Sequence, residues 1–430
     1  MSTAPFHHLA TTTAAMLIVL SSPWPSPSDA QEWRVWRGPT LDNHAPAEAA
    51  ELVPTEWSET KNVLWKSPIP GKGHATPIVV GDGVFVLTHE PDARTISLLR
   101  YNLSDGKPSG KVVLHRGVVP PSYLHKKNTC ASGTPSSDGR AIYVVAQVGE
   151  AIYASAVSIQ GQILWQRVVA PYRAGKGWFG YGSSPLLLDD AVVVPVDTDN
   201  RDAGLFALNK ANGQPKWRGE RPMATSYSSP ILATVAGRPQ ILISGGYRVA
   251  SYDPVSGGLI WKANATSRTT CATMVWNDGM VFASGSYPDP GTYGLAVSPQ
   301  GARGVWENRV KCYEQSMLVV GEYLYGIADS GVAYCWRCAD GNEMWKARLA
   351  GQFSASPLLV GDRIYASNER GATFVFKASP NAYQPISQNV LGDSSFASPI
   401  YADGKLILRH ASSQGGPRQE FLAAIATSAD

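Results

Sequence analysis

The sequence predicts an all-β protein, an eight-bladed β-propeller of four-stranded antiparallel blades. Two observations lead to this prediction: short apolar runs of strand length alternate with turn residues, and this arrangement recurs along the chain. The clearest copy spans residues 226–262, with strand-like runs at 231–235, 240–244, 249–252 and 259–261. Gly, Pro, Asp and Ser fill the gaps, as expected for tight turns. Each copy therefore reads as one antiparallel meander.

The opening of the unit recurs eight times. Each opening is a small or polar residue followed by Ser or Thr, and then usually by Pro. The copies lie at 75–77, 133–135, 183–185, 228–230, 272–274, 315–317, 355–357 and 397–399. A repeat of roughly 40–50 residues is typical of propellers and solenoids. A lone meander cannot bury both faces, so we expect the copies to stack into one structure.

The two ends of the repeat region complete each other. A strand that carries Trp65 has no first three strands before it, and the copy that opens at Ser398 has no fourth strand after it. An unfinished sheet would expose an unpaired edge. We therefore predict that the N-terminal strand fills the last blade and closes a ring over residues 62–430. Closure removes the need for capping repeats.

A tryptophan recurs at the end of several units. In the clear copies a turn glycine precedes it by four positions and a small residue by ten, as Gly257 and Ser251 precede Trp261. The small residue leaves room for an indole between neighbouring blades, and the glycine allows the hairpin. Trp306 fits this spacing loosely. The predicted structural, blade-docking residues are Trp65, Trp165, Trp217, Trp261, Trp306 and Trp345.

The first sixty residues differ from the repeat. Residues 1–30 combine a short apolar stretch with a Ser/Pro-rich segment and small residues before Gln31, which indicates a secretory signal peptide. No Lys or Arg precedes that stretch, so a disordered cytosolic leader is the alternative. The stretch is too short for a transmembrane span. Residues 31–61, with Trp33 and Trp36, are predicted to be a lead-in strap held by buried aromatics. We expect a periplasmic or secreted protein.

Composition gives little indication of partners. The formal net charge is +3 and only 17% of the 430 residues are charged. This balance provides no case for binding nucleic acid or an anionic membrane. We expect a monomer with no transmembrane segment.

The repeat resembles that of the pyrroloquinoline-quinone-type propellers, the quinoprotein dehydrogenase-like family. The resemblance rests on the small-xxxxx-Gly-xxx-Trp pattern, the Ser-Ser-Pro openings, the Trp-Arg-Gly-Pro segment at 36–39 and the segment 125–129 before an opening. It implies an eight-bladed fold. The family includes quinone-dependent dehydrogenases and non-enzymatic scaffolds of outer-membrane assembly, and the fold alone does not choose between them.

The resemblance also implies what a dehydrogenase would contain. Its members typically carry two adjacent cysteines beside the quinone, with a calcium ion and a catalytic aspartate. The cysteines here are Cys130, Cys271, Cys312, Cys335 and Cys338, and no two are adjacent. We therefore predict no catalytic residue and no cofactor. The alternative is a dehydrogenase-like enzyme of alcohols or sugars that uses pyrroloquinoline quinone with calcium.

Two local motifs were considered as sites. Cys335 and Cys338 form a CxxC, but Cys335 takes the small docking position and no helix is predicted there, which favours a structural disulfide or packing over redox chemistry. Asp197, Asp199 and Asp202 are weak candidates for a calcium site, because the loop lacks the glycine and distant glutamate of a standard calcium loop. A solvated loop is the preferred interpretation.

Two connections between units are long and rich in residues that dominate interfaces. The first contains His125, Lys126 and Lys127. The second contributes the remaining partner-binding candidates, which are Tyr172, Arg173, Lys176, Trp178, Phe179 and Tyr181. In a meander ring these connections share one face with the second-to-third-strand loops. We expect this sector to bind an envelope protein or an anionic glycan; the alternative is that its aromatics roof the central channel.

The sequence thus predicts an exported, non-enzymatic propeller that binds or scaffolds proteins in the cell envelope. A carbohydrate-active enzyme is a third hypothesis, because a pair of carboxylates assembled across blades leaves no trace in the sequence.

Overall fold

The computed structural model describes Met1, residues 32–173 and residues 179–427. Over this part of the chain, eight antiparallel sheets of four blade strands each follow one another around a ring. Consecutive strands pair within each sheet, as the repeat predicts. The predicted eight-bladed, all-β propeller is confirmed.

The elements before the first blade are β1 (His44–Ala45), α1 (Ala49–Leu52) and β2 (Val63–Ile69). Blade 1 comprises β3 (Ile78–Val80), β4 (Gly83–Glu90), β5 (Thr95–Asn102) and β6 (Pro108–Arg116). Blade 2 comprises β7 (Ser136–Ser137), β8 (Ala141–Val148), β9 (Ala151–Ser158) and β10 (Ile163–Pro171). Blade 3 comprises β11 (Leu186–Leu187), β12 (Ala191–Val196), β13 (Gly204–Asn209) and β14 (Pro215–Glu220). Blade 4 comprises β15 (Ile231–Val235), β16 (Arg238–Ser244), β17 (Arg248–Tyr252) and β18 (Leu259–Asn264).

Blade 5 comprises β19 (Val275–Trp276), β20 (Met280–Gly285), β21 (Gly291–Ser298) and β22 (Gly301–Asn308). Blade 6 comprises β23 (Leu318–Val320), β24 (Tyr323–Ile327), β25 (Val332–Arg337) and β26 (Glu343–Arg348). Blade 7 comprises β27 (Leu358–Val360), β28 (Arg363–Ser367), β29 (Ala372–Lys377) and β30 (Pro385–Val390). Blade 8 comprises β31 (Ile400–Ala402), β32 (Lys405–Ser412) and β33 (Gln419–Ile425), together with β2. β1 adds to blade 7 in parallel with β27.

Blade 8 contains strands from both ends of the repeat region. β2 pairs antiparallel with β33, with Trp65 opposite Ala424 and Lys66 opposite Ala423. The N-terminal strand is thus the fourth strand of a sheet that would otherwise end at β33, and the predicted closure is confirmed.

The hydrophobic core lies between blades. Phe85 and Leu87 of blade 1 pack in one cluster with Ile142 and Val144 of blade 2, and the other blade junctions have similar clusters. A single blade has too little apolar surface on its own, so each blade is stabilised by the blades on either side.

The ring has two distinct faces. The upper face carries the connections between blades and the loops between second and third strands. The lower face carries the remaining turns. Residues 32–53 cross the lower face, where the Trp33 N–H donates to Val79 O of blade 1 and Arg37 Nη2 to Met317 O at blade 6. Further along, Leu359 N of blade 7 donates to Asn43 O, and Thr427 N beyond blade 8 donates to Leu52 O. This segment therefore contacts widely separated blades.

The predicted signal peptide lies outside the described residues, except for Met1. Among the helices that the structure describes, none has the length and apolar character needed to cross a bilayer.

Candidate functional site

A cavity of about 400 Å³ lies at the centre of the ring. Its wall comes mainly from the inter-blade connections of the upper face. At its lower end lies Trp36, whose Nε1 donates to Thr273 Oγ1 at 2.8 Å. Volumes of this order suit a small molecule or one unit of a larger ligand.

A ring of hydroxyl groups surrounds the lower part of the cavity. Each opening supplies one member: Thr76, Thr134, Ser184, Ser229, Thr273, Ser316, Ser356 and Ser398. At seven of the eight steps around the ring, the backbone N–H of one member donates to the hydroxyl of the next blade. Ser184 N donates to Ser229 Oγ at 2.9 Å, for example, and Ser398 N donates to Thr76 Oγ1 at 3.1 Å, which joins the last blade to the first. These bonds satisfy buried N–H groups at the inner strands. They explain why each opening needs Ser or Thr.

A second ring lies above the first, two residues earlier in each opening. Side chains two positions apart in an extended chain point to the same side. The eight positions of this ring, here called the wall ring, all line the cavity: His74, Ser132, Gly182, Tyr227, Cys271, Glu314, Ser354 and Phe396. The sequence analysis did not identify these residues. Counting back two positions from each Ser or Thr of the openings would have found them.

Charged groups in the wall form two paired clusters. Lys127 Nζ lies 2.6 Å from Glu369 Oε1 and 3.5 Å from Glu314 Oε2. Ser354 Oγ contacts both of these carboxyl groups. Elsewhere Lys311 Nζ lies 3.2 Å from Asp329 Oδ2. The cations in the wall are thus matched by protein carboxylates.

Burial affects the protonation of two wall-ring residues. It raises the pKa of the Glu314 carboxyl above its usual value, and nearby Lys127 only partly offsets this effect. It lowers the pKa of His74 to about 3, so this imidazole is neutral at neutral pH. Since the Ser354 hydroxyl has one proton and contacts two carboxyl groups, a protonated Glu314 allows both contacts to be hydrogen bonds.

The predicted binding residues of the first long connection lie at the rim of the cavity. His125 packs edge-on against Phe179, with 5.0 Å between ring centroids. Lys126 is exposed, whereas Lys127 points into the charged cluster described above. The structure thus brings His125, Lys127 and Phe179 together at the cavity.

The second long connection divides into buried and exposed parts. Tyr172 and Tyr181 pack edge-on in the core between blades 2 and 3 and are 1% and 7% exposed, so they support the wall rather than present a surface. Arg173 is exposed and lies 3.4 Å from Glu150. Lys176 and Trp178 lie outside the described residues.

The acidic loop of blade 3 is held by arginines. Both oxygens of Asp197 accept hydrogen bonds from Arg221, at 2.9 and 2.6 Å. Asp199 Oδ1 accepts from Arg268 at 2.7 Å and from Thr225 N at 2.9 Å. Asp202 lies in the same loop, where its backbone N–H donates to the Asn200 side chain. Asp197 and Asp199 thus pair with cationic side chains in this structure.

The five cysteines are unpaired. Cys335 lies opposite Trp345 in the sheet, at the small docking position, and Cys338 is buried in the following hairpin. Burial raises the pKa of Cys335 to about 11 and that of Cys338 to about 12, which disfavours the reactive thiolate. The CxxC therefore packs as separate thiols.

The repeat tryptophans lie at blade junctions. Trp165 Nε1 donates to Lys210 O of the next blade, and a Cβ on Gly213 would come within 2.6 Å of its ring. Trp65, Trp217, Trp306 and Trp345 contact the following blade in the same manner, at Gly106, Gly257, Gly341 and Ser379. Trp261 instead donates to Gln240 of its own blade. The turn glycine therefore also makes room for the indole of the preceding blade.

The fold and the repeat define a pyrroloquinoline-quinone-like propeller, as the resemblance implied. The chain belongs to the family described as outer membrane protein assembly factor BamB, whose model matches residues 108–347, more than half of the 430 residues. No curated protein matches the sequence significantly.

Solved structures agree on the fold. BamB from Moraxella catarrhalis has 14% identity and a TM-score of 0.59, over 84% of this chain and 98% of that chain. Quinohemoprotein alcohol dehydrogenase ADHIIG from Pseudomonas putida HK5 has 12% identity and a TM-score of 0.62, over 94% and 82%. A europium-containing methanol dehydrogenase has 10% identity and a TM-score of 0.61, over 92% and 98%. At these identities the likeness describes the fold alone.

Proposed function

We propose that this protein is an exported, non-enzymatic propeller that binds a partner protein in the cell envelope through its upper face. The observation that carries the proposal is a patch of exposed apolar side chains over blades 3 to 5. Met223, Tyr247 and Tyr287 are 63%, 53% and 58% exposed. Exposed apolar groups gathered on one face are typical of protein-binding sites.

The loops that carry this patch contact one another. Gly246 lies against Pro222, next to Met223, and Tyr247 N donates to Ser267 O. Thr269 N in turn donates to Tyr287 O. The three side chains therefore project from one interlinked surface. Arg268, 40% exposed at its side chain, adds a cation that can contribute to a protein interface.

The family description supports a role in the envelope, since it concerns a factor in the assembly of outer membrane proteins. It does not identify the partner of this chain. The partner, the export of the chain and its periplasmic or secreted location are parts of the proposal.

Substitution of the patch tests the proposal. A variant with Met223→Ser, Tyr247→Ser and Tyr287→Ser should lose the proteins that the wild type captures from an envelope extract. The matched control carries Leu164→Ser, Val305→Ser and Ile386→Ser on outer strands, where the side chains are also exposed. The control should retain the partners. Identical capture by wild type and patch variant would contradict a binding role for this face.

The second candidate is a dehydrogenase that uses pyrroloquinoline quinone and calcium, which the likeness to quinohemoprotein folds favours. That cofactor is a tricarboxylate and needs cations that the protein leaves unpaired. In the cavity wall Lys127 is paired with Glu369 and Lys311 with Asp329. The residues therefore do not fit this quinone. Titration with quinone and calcium, followed by absorbance and dye-linked alcohol oxidation, would support this alternative if it gave tight binding and turnover.

A further inference from the structure

We propose that the central cavity binds a neutral sugar ring, as a terminal or branch unit of an envelope glycan. Of the exposed patch only Tyr287 also lines this cavity, whereas Met223 and Tyr247 do not. Binding of a sugar here goes beyond the proposed protein-binding role.

The two rings differ in how far their residues vary among the eight repeats. The hydroxyl ring has Ser or Thr at all eight positions, and seven of these hydroxyls accept a backbone N–H from the preceding blade. The eighth, Thr273 Oγ1, accepts from Trp36 Nε1. The wall ring, two residues away, contains six residue types besides its two serines. Blade packing therefore does not dictate the wall ring. Such variation at positions that all face one cavity indicates a specialised lining.

The cavity wall contains hydroxyl groups whose protons are free to donate hydrogen bonds. The hydroxyls of Thr134, Ser184, Ser356 and Ser398 line the cavity, and each is at most 4% exposed. Each accepts a backbone N–H, but among the described residues the structure gives their own O–H protons no acceptor. A buried hydroxyl has one donor to satisfy. These groups therefore offer donors to a ligand rich in oxygen.

The charges in the cavity wall favour a neutral ligand. Lys127 and Lys311 are each paired with a carboxylate within the wall, and His74 is neutral at neutral pH. A charged ligand in this cavity would find no unpaired protein charge of opposite sign, and burial of an uncompensated charge is costly. Neutral polyhydroxyl ligands avoid this cost, since each of their hydroxyls both donates and accepts.

Aromatic side chains lie on opposite sides of the cavity. In an eight-membered ring, the wall position of blade 4 faces that of blade 8, so Tyr227 and Phe396 lie on opposite sides of the cavity. Phe396 stacks on His74, with 4.3 Å between centroids and 13° between planes. Aromatic rings present apolar faces that suit the C–H faces of a sugar ring, while Glu314 and Ser354 provide polar groups between them.

A peptide fits the cavity less well. Peptide recognition commonly uses an open strand edge, a hydrophobic groove, a cluster of arginines or capture of a charged terminus. The residues that line this cavity include no arginine, and their charges are already paired. Trp36 lies across the lower end, so a ligand enters end-on from the upper face.

Gly182 provides a direct test, because a Cβ there would meet no atom within 4 Å. Gly182→Leu should fill the cavity without disturbing the fold. The control is Gly279→Leu in a lower-face turn, which is equally open. Neutral probes (cellotriose, maltotriose and N,N′,N″-triacetylchitotriose), anionic trigalacturonate and a neutral tripeptide that is N-acetylated and C-amidated are titrated by calorimetry against the full chain.

At least one neutral trisaccharide should bind the wild type, and Gly182→Leu should weaken it about tenfold or more, a change of about 1.4 kcal/mol. Phe396→Leu should weaken it several-fold. Gly279→Leu and a patch variant with only Met223→Ser and Tyr247→Ser, which do not line the cavity, should bind as the wild type does. The inference is overturned if no neutral probe binds, if only trigalacturonate or the peptide binds, or if Gly182→Leu binds normally. Because the patch variant reports on protein capture separately, failure here leaves the proposed function standing.

Discussion

Single residues at the blade junctions show why the repeat keeps the same amino acids at fixed spacing. Gly213 and Gly237 both have φ of +71°, a conformation that costs other residues about 1–2 kcal/mol. They differ in their surroundings. A Cβ at Gly213 would lie 2.6 Å from the Trp165 ring, whereas a Cβ at Gly237 would meet nothing within 4 Å. The turn glycine thus has a backbone role and a packing role that can be separated.

We predict that Gly213→Ala destabilises the protein more than Gly237→Ala does. Both substitutions bear the backbone cost, but only Gly213→Ala overpacks a junction, which adds about 1–3 kcal/mol. Urea unfolding of the two variants measures the difference. Equal losses of stability would mean that Trp165 does not need the space above Gly213.

His410 is predicted to make the protein sensitive to acid. It is 3% exposed and stacks on Phe421, and burial, assisted by nearby Lys66, lowers its pKa to about 4. Between pH 6.5 and 4 the unfolded chain binds a proton at this site that the folded chain does not. Stability should therefore fall as the pH drops through this window, by up to about 1.4 kcal/mol per pH unit.

Replacement of His410 by Phe removes this titration. Urea unfolding at several pH values between 4 and 7 should give a shallower pH dependence of stability for His410→Phe than for the wild type, because one titrating group is lost. Some dependence should remain, because the other histidines are retained. Parallel curves for the two proteins would show that His410 does not contribute.

Among the elements, β2 is the one on which closure depends. It covers the edge of β33, and Trp65 Nε1 donates to Leu103 O of blade 1. A chain that begins at Gly71 should therefore expose a strand edge and aggregate or remain unfolded. A chain that begins at Gln31 keeps β2 and the lead-in, and should fold normally. Solubility and circular dichroism compare the two. A soluble, cooperatively folded chain from Gly71 would contradict the role given to β2.

The elements were largely predictable from the sequence, because strand periodicity and turn residues act locally. The orphan strand at Trp65 and the incomplete copy at Ser398 predicted closure, since an open edge is unfavourable. The hydroxyl ring was visible as Ser-Ser-Pro openings, but its bonds join residues 40 or more positions apart, such as Ser316 N to Ser356 Oγ. Propensities do not reveal such partners.

At the scale of the whole molecule, the cavity could be predicted only in part. Lys127 was identified from its long connection, but its partner Glu369 lies 242 positions away in blade 7. Glu314 and Ser354 come from two further connections. Only closure of the ring brings these four together, so their pairing depends on the register of all eight blades. Tyr172 and Tyr181 were predicted to be part of a binding surface, because the sequence does not show which aromatic residues of a long connection are exposed and which are buried beneath it.

Binding of a partner protein by the upper face can be tested by site-specific photo-crosslinking in intact cells. A photoreactive amino acid is placed at Met223 or Tyr247 on the upper face, and at Gly279 in a lower-face turn. We predict that the two upper-face positions crosslink the same envelope protein and that the Gly279 position does not. Crosslinks to a partner from Gly279 alone, or none from either upper-face position, would contradict it.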